Sequence, residues 1–381
     1  MAFIYSPPEW LAQEKKPQWD ELHVVVRQDI SAALKSEILS AEPTGDGYSP
    51  KPSFFLTLAD GRELFIKGER PDATARSQHL FALEVLGNKE LRALAPFRPR
   101  FITDIKTQGW HFLVHEKIQN AIHPMPWTSE KLTALFQAFC GVYSCFSSRS
   151  DAPSWVEEAK ASKEGGIGDL YRGVSVWENL NLPDTDPAKR FYKEKLFAAF
   201  TNPEDAAAWF TLALPSLMAH EQRTGDIKSF SNLLHLDLRQ DNLLFQKNEK
   251  AGLRAYVLDW GHLYWGPVVI DIVRLIKNIY SEGGPNPQET LSLFSTTTGI
   301  DFPKDDVRVG LSAITGQMAL SLVEEFTHEE ARCNWVQRLQ AIAGLKWWAM
   351  EMGLPPVPEL APLPRPTISR PVYIPEKARP A

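Results

Sequence analysis

Three polar residues near the middle of the chain have the types and spacing needed to handle a metal-bound phosphate. Asp237 follows the apolar run at 233–235, and Asn242 lies five residues further on. Asp259 directly follows the apolar run at 255–258. One carboxylate can take the proton of an attacking hydroxyl group, while an amide oxygen and a second carboxylate can hold Mg²⁺ on the phosphates. The set therefore points to phosphoryl transfer from a metal–nucleotide complex, with Asp237 as the base and with Asn242 and Asp259 as metal ligands.

Short strands are expected to present these residues at loop tips. Apolar runs at 233–235, 243–245 and 255–258 alternate with polar segments, a pattern typical of strands joined by turns. An ordinary turn is the alternative for the first motif, because Asp and Asn side chains stabilise turns by bonding to the backbone. The second motif, Asp259-Trp260-Gly261 after an apolar strand, argues against coincidence.

Together the two motifs resemble those of the aminoglycoside-phosphotransferase-like branch of the protein-kinase-like fold. That branch has a His-Gly-Asp-x-x-x-x-Asn loop and then a strand ending in Asp-Trp or Asp-Phe; here the loop begins His235-Leu236-Asp237 and the strand ends in Asp259-Trp260. Leu236 replaces the usual glycine, which changes the backbone beside the base and no catalytic side chain. The resemblance implies a bilobal α+β fold, with a small N-lobe of antiparallel sheet and one helix and a larger, mostly helical C-lobe.

Lys67 is the expected phosphate-binding cation. Asp60-Gly61 predicts a hairpin turn, and the returning strand from Glu63 to Ile66 ends at Lys67. A lysine on an exposed strand edge is the alternative. The downstream motifs favour a point charge that contacts the α- and β-phosphates of a nucleotide.

A lysine in that position needs an acidic partner to hold its side chain, and we expect Glu84 to be that partner. Asp72 is a candidate N-cap for a helix over 73–86, in which Glu84 lies on or beside the apolar stripe and points roughly inward. Gln78 and Glu90 compete, because the pattern fixes the phase of the helix only to within a residue or two.

Further nucleotide contacts depend chiefly on the resemblance. Gly45, Gly47 and Ser49 lie between two predicted strands, where a small-residue loop can bring backbone N–H groups to phosphates. An ordinary hairpin turn is the alternative for this loop. Glu116 and Ile118 follow a strand at 111–114, where main-chain groups of the linker between the lobes of kinase-like folds bind the adenine edge.

Two residues are expected to support the catalytic loop. His235 should fix the loop through hydrogen bonds, and the resemblance implies that Asp271 buttresses it from the start of the following helix. Simple N-capping of that helix is the alternative for Asp271.

Four segments are predicted: an N-terminal extension (1–23), a nucleotide-binding N-lobe (24–117), a C-lobe with the catalytic loop and acceptor pocket (118–353), and a tail (354–381). The run Val24–Val26 predicts a short strand at the start of the N-lobe. Nine of the 28 tail residues are proline. The tail is therefore expected to be extended, either disordered or laid along the body, and docking of a partner through its Pro-x-x-Pro spacing is a further hypothesis.

Composition limits the remaining function classes. Of the 381 residues 44% are hydrophobic and 23% charged, with a net charge of −6, which favours neither nucleic-acid nor membrane-surface binding. The first ten residues lack the basic region of a signal peptide, and no apolar run approaches the roughly 18 residues of a membrane span, so a cytoplasmic location is expected. Cys140, Cys145 and Cys333 show no metal-site spacing and are expected to be buried thiols.

The sequence thus predicts a phosphotransferase that uses ATP and Mg²⁺ and phosphorylates a hydroxyl group of a small molecule, such as an aminoglycoside antibiotic, an amino-alcohol or a sugar. Two alternatives stay open. A protein-directed kinase would keep the fold, although no Ala-Pro-Glu motif follows Asp259. A nucleotide-binding scaffold without turnover would have no chemical need for Lys67, Asp237, Asn242 and Asp259 together.

Overall fold

The computed structural model describes residues 8, 11, 16–45, 51–158, 175–248, 252–327 and 330–365. Gly47 and Ser49 of the predicted phosphate loop lie outside the described residues. The chain forms two compact units. The sheet unit comprises Gln13–Val156 and Arg239–Leu263, and the helical unit comprises Met1–Ala12, Glu157–Leu238 and Tyr264–Ala381.

An antiparallel sheet of five strands is the centre of the sheet unit, with the strand order β1-β2-β3-β5-β4. The strands are β1 (Ile38–Pro43), β2 (Ser53–Leu58), β3 (Glu63–Glu69), β4 (Phe101–Thr107) and β5 (Trp110–Glu116). Phe54, Ile66 and Phe112 lie at the centre of an apolar core on this sheet, and each is completely buried. The predicted α+β class is therefore confirmed, with a small antiparallel sheet in one unit and most of the helices in the other.

A helix replaces the strand that was predicted at Val24–Val26. Helix α1 spans Val24–Leu34, and the Nδ1 atom of His23 accepts a hydrogen bond from the Val25 N–H at its start (3.3 Å). Val26, Ile30 and Leu34 recur every four residues and bury one stripe in the core of the sheet. That helical burial pattern outweighs the β-propensity of three consecutive valines, since such propensities are weak compared with packing.

Helix α2 (Ala75–Glu90) begins two residues later than predicted and has a different cap. The Thr74 hydroxyl accepts a hydrogen bond from the Ser77 N–H (3.2 Å), whereas the predicted cap, Asp72, forms an ion pair with Arg70 (2.8 Å). A hydroxyl at the N-cap satisfies one of the otherwise unbonded N–H groups of the first turn. Asp72 is thus wrong as the cap, because its carboxylate is occupied by the neighbouring guanidinium.

Helix α3 (Ser129–Ser144) and a hairpin of two strands, β8 (Leu243–Asn248) and β9 (Gly252–Val257), complete the sheet unit. The Thr128 hydroxyl caps α3 by accepting a hydrogen bond from the Lys131 N–H (3.3 Å). The cysteines of the chain are in no disulfide, and all three thiols are partly exposed where buried ones were expected.

The helical unit is built from eight described helices and a short sheet of three strands. The helices are α4 (Val176–Leu180), α5 (Pro187–Ala198), α6 (Pro203–Glu221), α7 (Val268–Ser281), α8 (Pro287–Thr298), α9 (Lys304–Met318), α10 (Leu320–Val323) and α11 (Ala331–Met352). The strands are β6 (Glu157–Glu158), β7 (Ser231–Leu234) and β10 (Tyr264–Pro267), with β10 in the middle. Every residue of α7 except Tyr280 is buried, so this helix is the core of the unit. None of the described helices is both long and apolar enough to span a membrane.

The first part of the proline-rich tail is laid along the helical unit. Trp209 Nε1 donates to the carbonyl oxygen of Pro355 (2.8 Å), and Leu360 forms a bridge with Phe200. Leu360 and Leu363 are buried. The tail is therefore extended and anchored as far as residue 365, where the described part of the chain ends.

The last turn of α6 contains a buried carboxyl group, Glu221, which is 1% exposed. Burial raises its pKa to about 8; a hydrogen bond with Ser175 opposes the rise, and the Glu178 carboxylate adds to it. Because an unfolded glutamate ionises near pH 4.5, the folded chain holds an extra proton between the two pKa values. The stabilisation that this proton provides is complete below the unfolded pKa and is lost as the pH rises through about 8.

We expect Glu221→Gln to be more stable than the wild type at pH 9 and to lose that advantage at pH 5. The amide cannot ionise. The variant therefore avoids a loss in the free energy of unfolding of about 1.4 kcal/mol for each unit by which folding raises the pKa. Urea unfolding at both pH values measures the free energy of unfolding, with Glu204→Gln in the exposed first turn of α6 as the control. An equal difference between Glu221→Gln and the wild type at both pH values would contradict the assigned cause.

Candidate active site

Lys67 lies on a central strand of the five-stranded sheet. It is opposite Ser53 of β2 on one side and Leu113 of β5 on the other, and its side chain is 16% exposed. The alternative of a lysine on an exposed edge strand is therefore excluded.

The ammonium group of Lys67 lies between two carboxylates. Its Nζ atom is 2.6 Å from Glu84 Oε1 and 3.3 Å from Asp259 Oδ2. The Glu84 side chain is 3% exposed and that of Asp259 42% exposed. The structure thus brings three predicted site residues together, with one carboxylate in the interior and the other towards solvent.

Glu84 is the acidic partner, and its two competitors have other contacts. Gln78 Nε2 donates to the carbonyl oxygens of Pro71 and Ala73. Glu90 accepts a hydrogen bond from Trp155 Nε1 (2.6 Å). The inward direction expected for a carboxylate on the apolar stripe of α2 is what the structure shows for Glu84.

Charge at this contact is unevenly balanced. Burial lowers the pKa of Lys67, but the Asp259 and Glu84 carboxylates outweigh burial and raise that pKa well above its ordinary value, so the amine is charged. Burial and the Asp259 carboxylate raise the pKa of Glu84, and the Lys67 ammonium opposes that rise. Because two carboxylates face one ammonium, a cation that binds at the exposed Asp259 would balance the local charge.

Glu84 is held in position by residues that the sequence analysis missed. Asn88, one turn further along α2, donates from Nδ2 to the Glu84 carbonyl oxygen (3.0 Å), and its Oδ1 lies 3.0 Å from His115 Nε2 on β5. Burial, followed by the charges of Lys67 and Arg98, lowers the pKa of His115 to about 3. The imidazole is therefore neutral and donates from Nε2 to Asn88. The four-residue spacing from Glu84 to Asn88 is the only sequence signal for this contact.

Arg98 completes the support of α2 at its C-terminal end. Its guanidinium donates to the carbonyl oxygens of Gly87, Asn88 and Leu91 at 2.9–3.0 Å. Asn88 lies in the last turn of α2, where carbonyl groups have no N–H partner within the helix. A cation at this end also interacts favourably with the helix dipole.

Glu69 connects β3 to the start of α2. It lies two residues after Lys67, accepts a hydrogen bond from Ser77 Oγ (2.7 Å) and forms an ion pair with Lys51 (2.7 Å). A cavity of about 460 Å³ adjoins this contact and is lined by Glu69, Arg70, Gln78, Phe81, Lys106, Thr107, Gln108, Gly109, Trp110 and His111. None of the predicted site residues lines that cavity, so it is separate from the Lys67 contact.

Asn242 and Asp259 lie at the same end of the β8–β9 hairpin. Asn242 immediately precedes β8, and its carbonyl oxygen accepts a hydrogen bond from the N–H of Leu258, the first residue after β9 (2.8 Å). Asp259 has a φ of 58°, a left-handed conformation that Asp tolerates better than most residues. The hairpin therefore places the two predicted metal ligands at neighbouring positions.

The donor types at this end of the hairpin fit a magnesium ion. A carboxylate and an amide are hard oxygen donors, and Mg²⁺ is commonly bound by one or two such groups together with phosphates and water. Within the described residues, no three His, Cys, Asp or Glu side chains form a cluster that could bind a metal. A metal bound at Asp259 would thus depend on Asn242 and on a nucleotide for its other ligands.

Gly261 allows the segment after β9 to approach α2 closely. A Cβ atom at this position would lie 3.0 Å from the Leu80 carbonyl oxygen and 3.7 Å from Glu84 Cβ. The neighbouring Trp260 is buried and donates from Nε1 to the Val257 carbonyl oxygen (3.0 Å). The missing side chain of Gly261 thus allows Asp259 to lie near α2, and Trp260 fixes the segment to the end of β9.

In the helical unit, Asp237 is the exposed member of a buried loop. His235, Leu236 and Leu238 are at most 1% exposed, whereas Asp237 is partly exposed. The N–H of Asp237 donates to His235 Nδ1 (3.2 Å), so His235 has the hydrogen bond that was expected of it. The local structure therefore fixes the backbone beside Asp237, the one partly exposed residue among these four.

Asp271 holds the same loop from α7. Its carboxylate accepts hydrogen bonds from the N–H groups of His235 (2.7 Å) and Leu236 (2.8 Å). Burial raises the pKa of Asp271, and these two residues oppose the rise. The residue at the N-cap of α7 is Pro267, so the N-capping alternative for Asp271 is excluded.

Three further residues, Gly45, Glu116 and Ile118, were predicted to contact the nucleotide. Gly45 directly precedes the segment 46–50, which lies outside the described part of the chain. The N–H of Glu116, the last residue of β5, donates to the Arg100 carbonyl oxygen (2.9 Å), and its carboxylate pairs with Arg100 Nε (2.8 Å). Ile118 lies two residues beyond the end of the strand.

Part of the sequence matches the model of a phosphotransferase family, and the fold is similar to that of solved phosphotransferase structures. Residues 165–298, which include the loop at 235–242, Asp259 and Asp271, match the model of the phosphotransferase enzyme family. The predicted resemblance is confirmed. None of the curated proteins matches the chain in sequence.

Solved structures share the protein-kinase-like fold at low sequence identity. A spectinomycin phosphotransferase in complex with ADP and spectinomycin has a TM-score of 0.52 and 15% identity, covering 82% of this chain and 93% of its own. The GDP complex of aminoglycoside 2′-phosphotransferase-IIIa has a TM-score of 0.55 and 15% identity, with coverages of 87% and 98%. A microcompartment-associated aminopropanol kinase has a TM-score of 0.52 and 12% identity, with coverages of 87% and 98%.

Gly261→Ala is expected to destabilise the sheet unit. The added methyl group, 3.0 Å from a backbone oxygen of α2, forces one of the two segments to move, and overpacking of this kind costs about 1 kcal/mol or more. Urea unfolding measures the loss. The control is Gly310→Ala on α9, where a Cβ has its nearest contact at 3.4 Å and alanine favours the helix. If Gly261→Ala were as stable as the wild type, the inference that this segment packs too closely against α2 for a side chain would be contradicted.

Proposed function

We propose that this chain is an ATP-dependent phosphotransferase that moves the γ-phosphoryl group to a hydroxyl group of a small molecule. The observation that carries the proposal is the charged Lys67 held by buried Glu84 beside the partly exposed Asp259. The match of residues 165–298 to the phosphotransferase enzyme family supports the reaction class.

Lys67 would bind the α- and β-phosphates. An ammonium group acts there as a point charge, and the contact with Glu84 reduces the number of side-chain conformations that must be ordered on binding. Phosphate oxygens would compete with Asp259 for the ammonium, because the 3.3 Å contact to Asp259 is the longer of the two.

The adenine ring and the phosphate groups of ATP would be bound mainly by main-chain groups of the protein. Because the N–H of Glu116 already donates to Arg100, the proposed contact of Glu116 is through its carbonyl oxygen, next to the N–H of Ile118. Gly45, Gly47 and Ser49 are proposed to bring backbone N–H groups to the phosphates.

Asn242 and Asp259 would hold Mg²⁺ through an amide oxygen and a carboxylate. When bound, the ion supplies positive charge that offsets the charge on the phosphate oxygens. Asp259 is suited to this role because its side chain is 42% exposed and faces an ammonium that a phosphate can take over.

Asp237 would orient the acceptor hydroxyl group and accept its proton. His235 and Asp271 fix the backbone on the N-terminal side of Asp237, so the position of the carboxylate is set before the acceptor binds. Phosphoryl transfer has a loose transition state that requires positioning and charge more than covalent chemistry. A short set of residues is therefore sufficient.

The acceptors to test follow from proteins with the same fold. Those proteins include a phosphotransferase in complex with spectinomycin and an aminopropanol kinase. We therefore propose amino-alcohols and aminoglycosides as the first acceptors and sugars as the second group, each with ATP and with GTP.

We expect acceptor-dependent release of ADP in the presence of Mg²⁺, and a loss of at least about 100-fold in kcat for Asp237→Asn because the amide cannot accept the proton. Chelation of Mg²⁺ by EDTA should abolish turnover. The control is Asp60→Asn, on an exposed turn of the sheet unit. Turnover that survives Asp237→Asn would remove Asp237 as the base.

Nucleotide binding provides a separate test. ATP should raise the Tm of the wild type and of Asp237→Asn but not that of Lys67→Ala, with Lys106→Ala on the exposed side of β4 as the control. Binding of ATP without any active small-molecule acceptor would favour a protein-directed kinase or a scaffold, and transfer of labelled phosphate into a cell lysate separates these two. If neither ATP nor GTP binds, the proposal is wrong.

A further inference from the structure

We infer that Asn278 is a positioning residue for Asp237 and that, with Asp271, it forms a two-point clamp on the loop at 235–238. The inference rests on the proposed function, because it explains how the catalytic carboxylate is presented. Neither the sequence motifs nor the resemblance assigns Asn278 a role.

The clamp consists of hydrogen bonds on both sides of Asp237. On the N-terminal side, the Asp271 carboxylate accepts from the N–H groups of His235 and Leu236. On the C-terminal side, Asn278 Nδ2 donates to the carbonyl oxygen of Leu238 (2.5 Å). Backbone groups on both sides of Asp237 in the sequence are therefore bonded to the same helix, α7.

The spacing of the two side chains along α7 matches the length of the loop. Asp271 and Asn278 are seven residues apart, which is nearly two helical turns, so they project from the same face about 10 Å apart along the axis. Three peptide steps, as from His235 to Leu238, can cover roughly 10 Å when extended. A single rigid helix can thus hold both ends of the loop.

Only the donor group of the buried Asn278 amide has a hydrogen-bond partner among the described residues. Asn278 is 2% exposed, and its Oδ1 has no hydrogen-bond partner among the described residues. A buried carbonyl group without a partner costs about 1–3 kcal/mol; an apolar side chain of similar size would avoid that cost at Asn278 but would leave the carbonyl oxygen of buried Leu238 without this donor. The amide group of Asn278 supplies the N–H donor that bonds to the loop at Leu238.

The backbone of the loop also needs to be held at both ends. Leu236 has a φ of 57°, which is unfavourable for a residue with a side chain. Without the bond to the Leu238 carbonyl oxygen, the backbone on the C-terminal side of Asp237 loses this contact with α7, and we expect the Asp237 carboxylate to shift with it. A displacement of about 1 Å at a reacting group can cost roughly 100-fold in rate.

The test compares two asparagines with the same kind of contact. Asn334 is also buried in the helical unit, donates from Nδ2 to the carbonyl oxygen of Ser321 (3.2 Å), and has an Oδ1 without a partner among the described residues. Asn278→Leu and Asn334→Leu each remove one such bond at similar volume. We expect kcat to fall roughly 10- to 100-fold in Asn278→Leu only, with the KM for ATP changed less than about twofold in both variants.

A pH profile separates positioning from general damage. The carboxyl group introduced by Asn278→Asp can donate to Leu238 only when protonated, and burial raises its pKa. The kcat of Asn278→Asp relative to the wild type should therefore increase as the pH is lowered. A ratio that does not vary with pH, or an equal loss of kcat in Asn334→Leu, would overturn the inference.

Hydrogen exchange tests the clamp without any turnover. Amide exchange in a peptide covering 235–240 should be faster in Asn278→Leu than in the wild type and unchanged in Asn334→Leu. Unchanged exchange in Asn278→Leu shows that there is no clamp, even if the wild type is active. If the wild type has no turnover with any acceptor but exchange responds as expected, the clamp exists and it is the catalytic role and the proposed function that are wrong.

Discussion

The ammonium group of Lys67 is largely shielded from water, and carboxylates from two other parts of the sheet unit stabilise it. Taking a charged amine into the interior costs several kcal/mol, and the cost is recovered only where partners are close and well oriented. Glu84 at 2.6 Å and Asp259 at 3.3 Å supply that compensation. Since the three residues come from β3, from α2 and from the segment after β9, one electrostatic contact holds three separate parts of the chain in register.

Each unit uses a helix to hold a predicted site residue through buried polar contacts. In the sheet unit, Asn88 and Arg98 fix the position of α2 and so the direction of Glu84. In the helical unit, Asp271 on α7 bonds to the backbone beside Asp237. Packing of apolar side chains permits small rotations of a helix, whereas hydrogen bonds specify a direction. This difference explains why polar residues occupy otherwise apolar interiors at both sites.

The sequence predicted the contact between Lys67 and Glu84 better than the elements around it, for a physical reason. Glu84 was predicted to pair with Lys67 because a carboxylate on an apolar stripe needs a partner, and that requirement survives an error of a turn in the helix boundary. Val24–Val26 was predicted wrongly because local β-propensity is weaker than burial of a helical stripe. His115 and Asn88 could not be predicted, since their contact depends on how β5 and α2 pack.

Leu236 shows why a departure from a family motif need not alter the chemistry. Its φ of 57° is the conformation in which glycine is usual, and the strain for a leucine is roughly 1–2 kcal/mol. The side chain is completely buried, which contributes about 1.5–3 kcal/mol and so offsets the strain. A glycine would relieve the strain but lose the buried side chain, leaving the loop less firmly held. Because Leu236 adopts a backbone conformation in which glycine is usual, the replacement of glycine by leucine is no argument against Asp237 as the base.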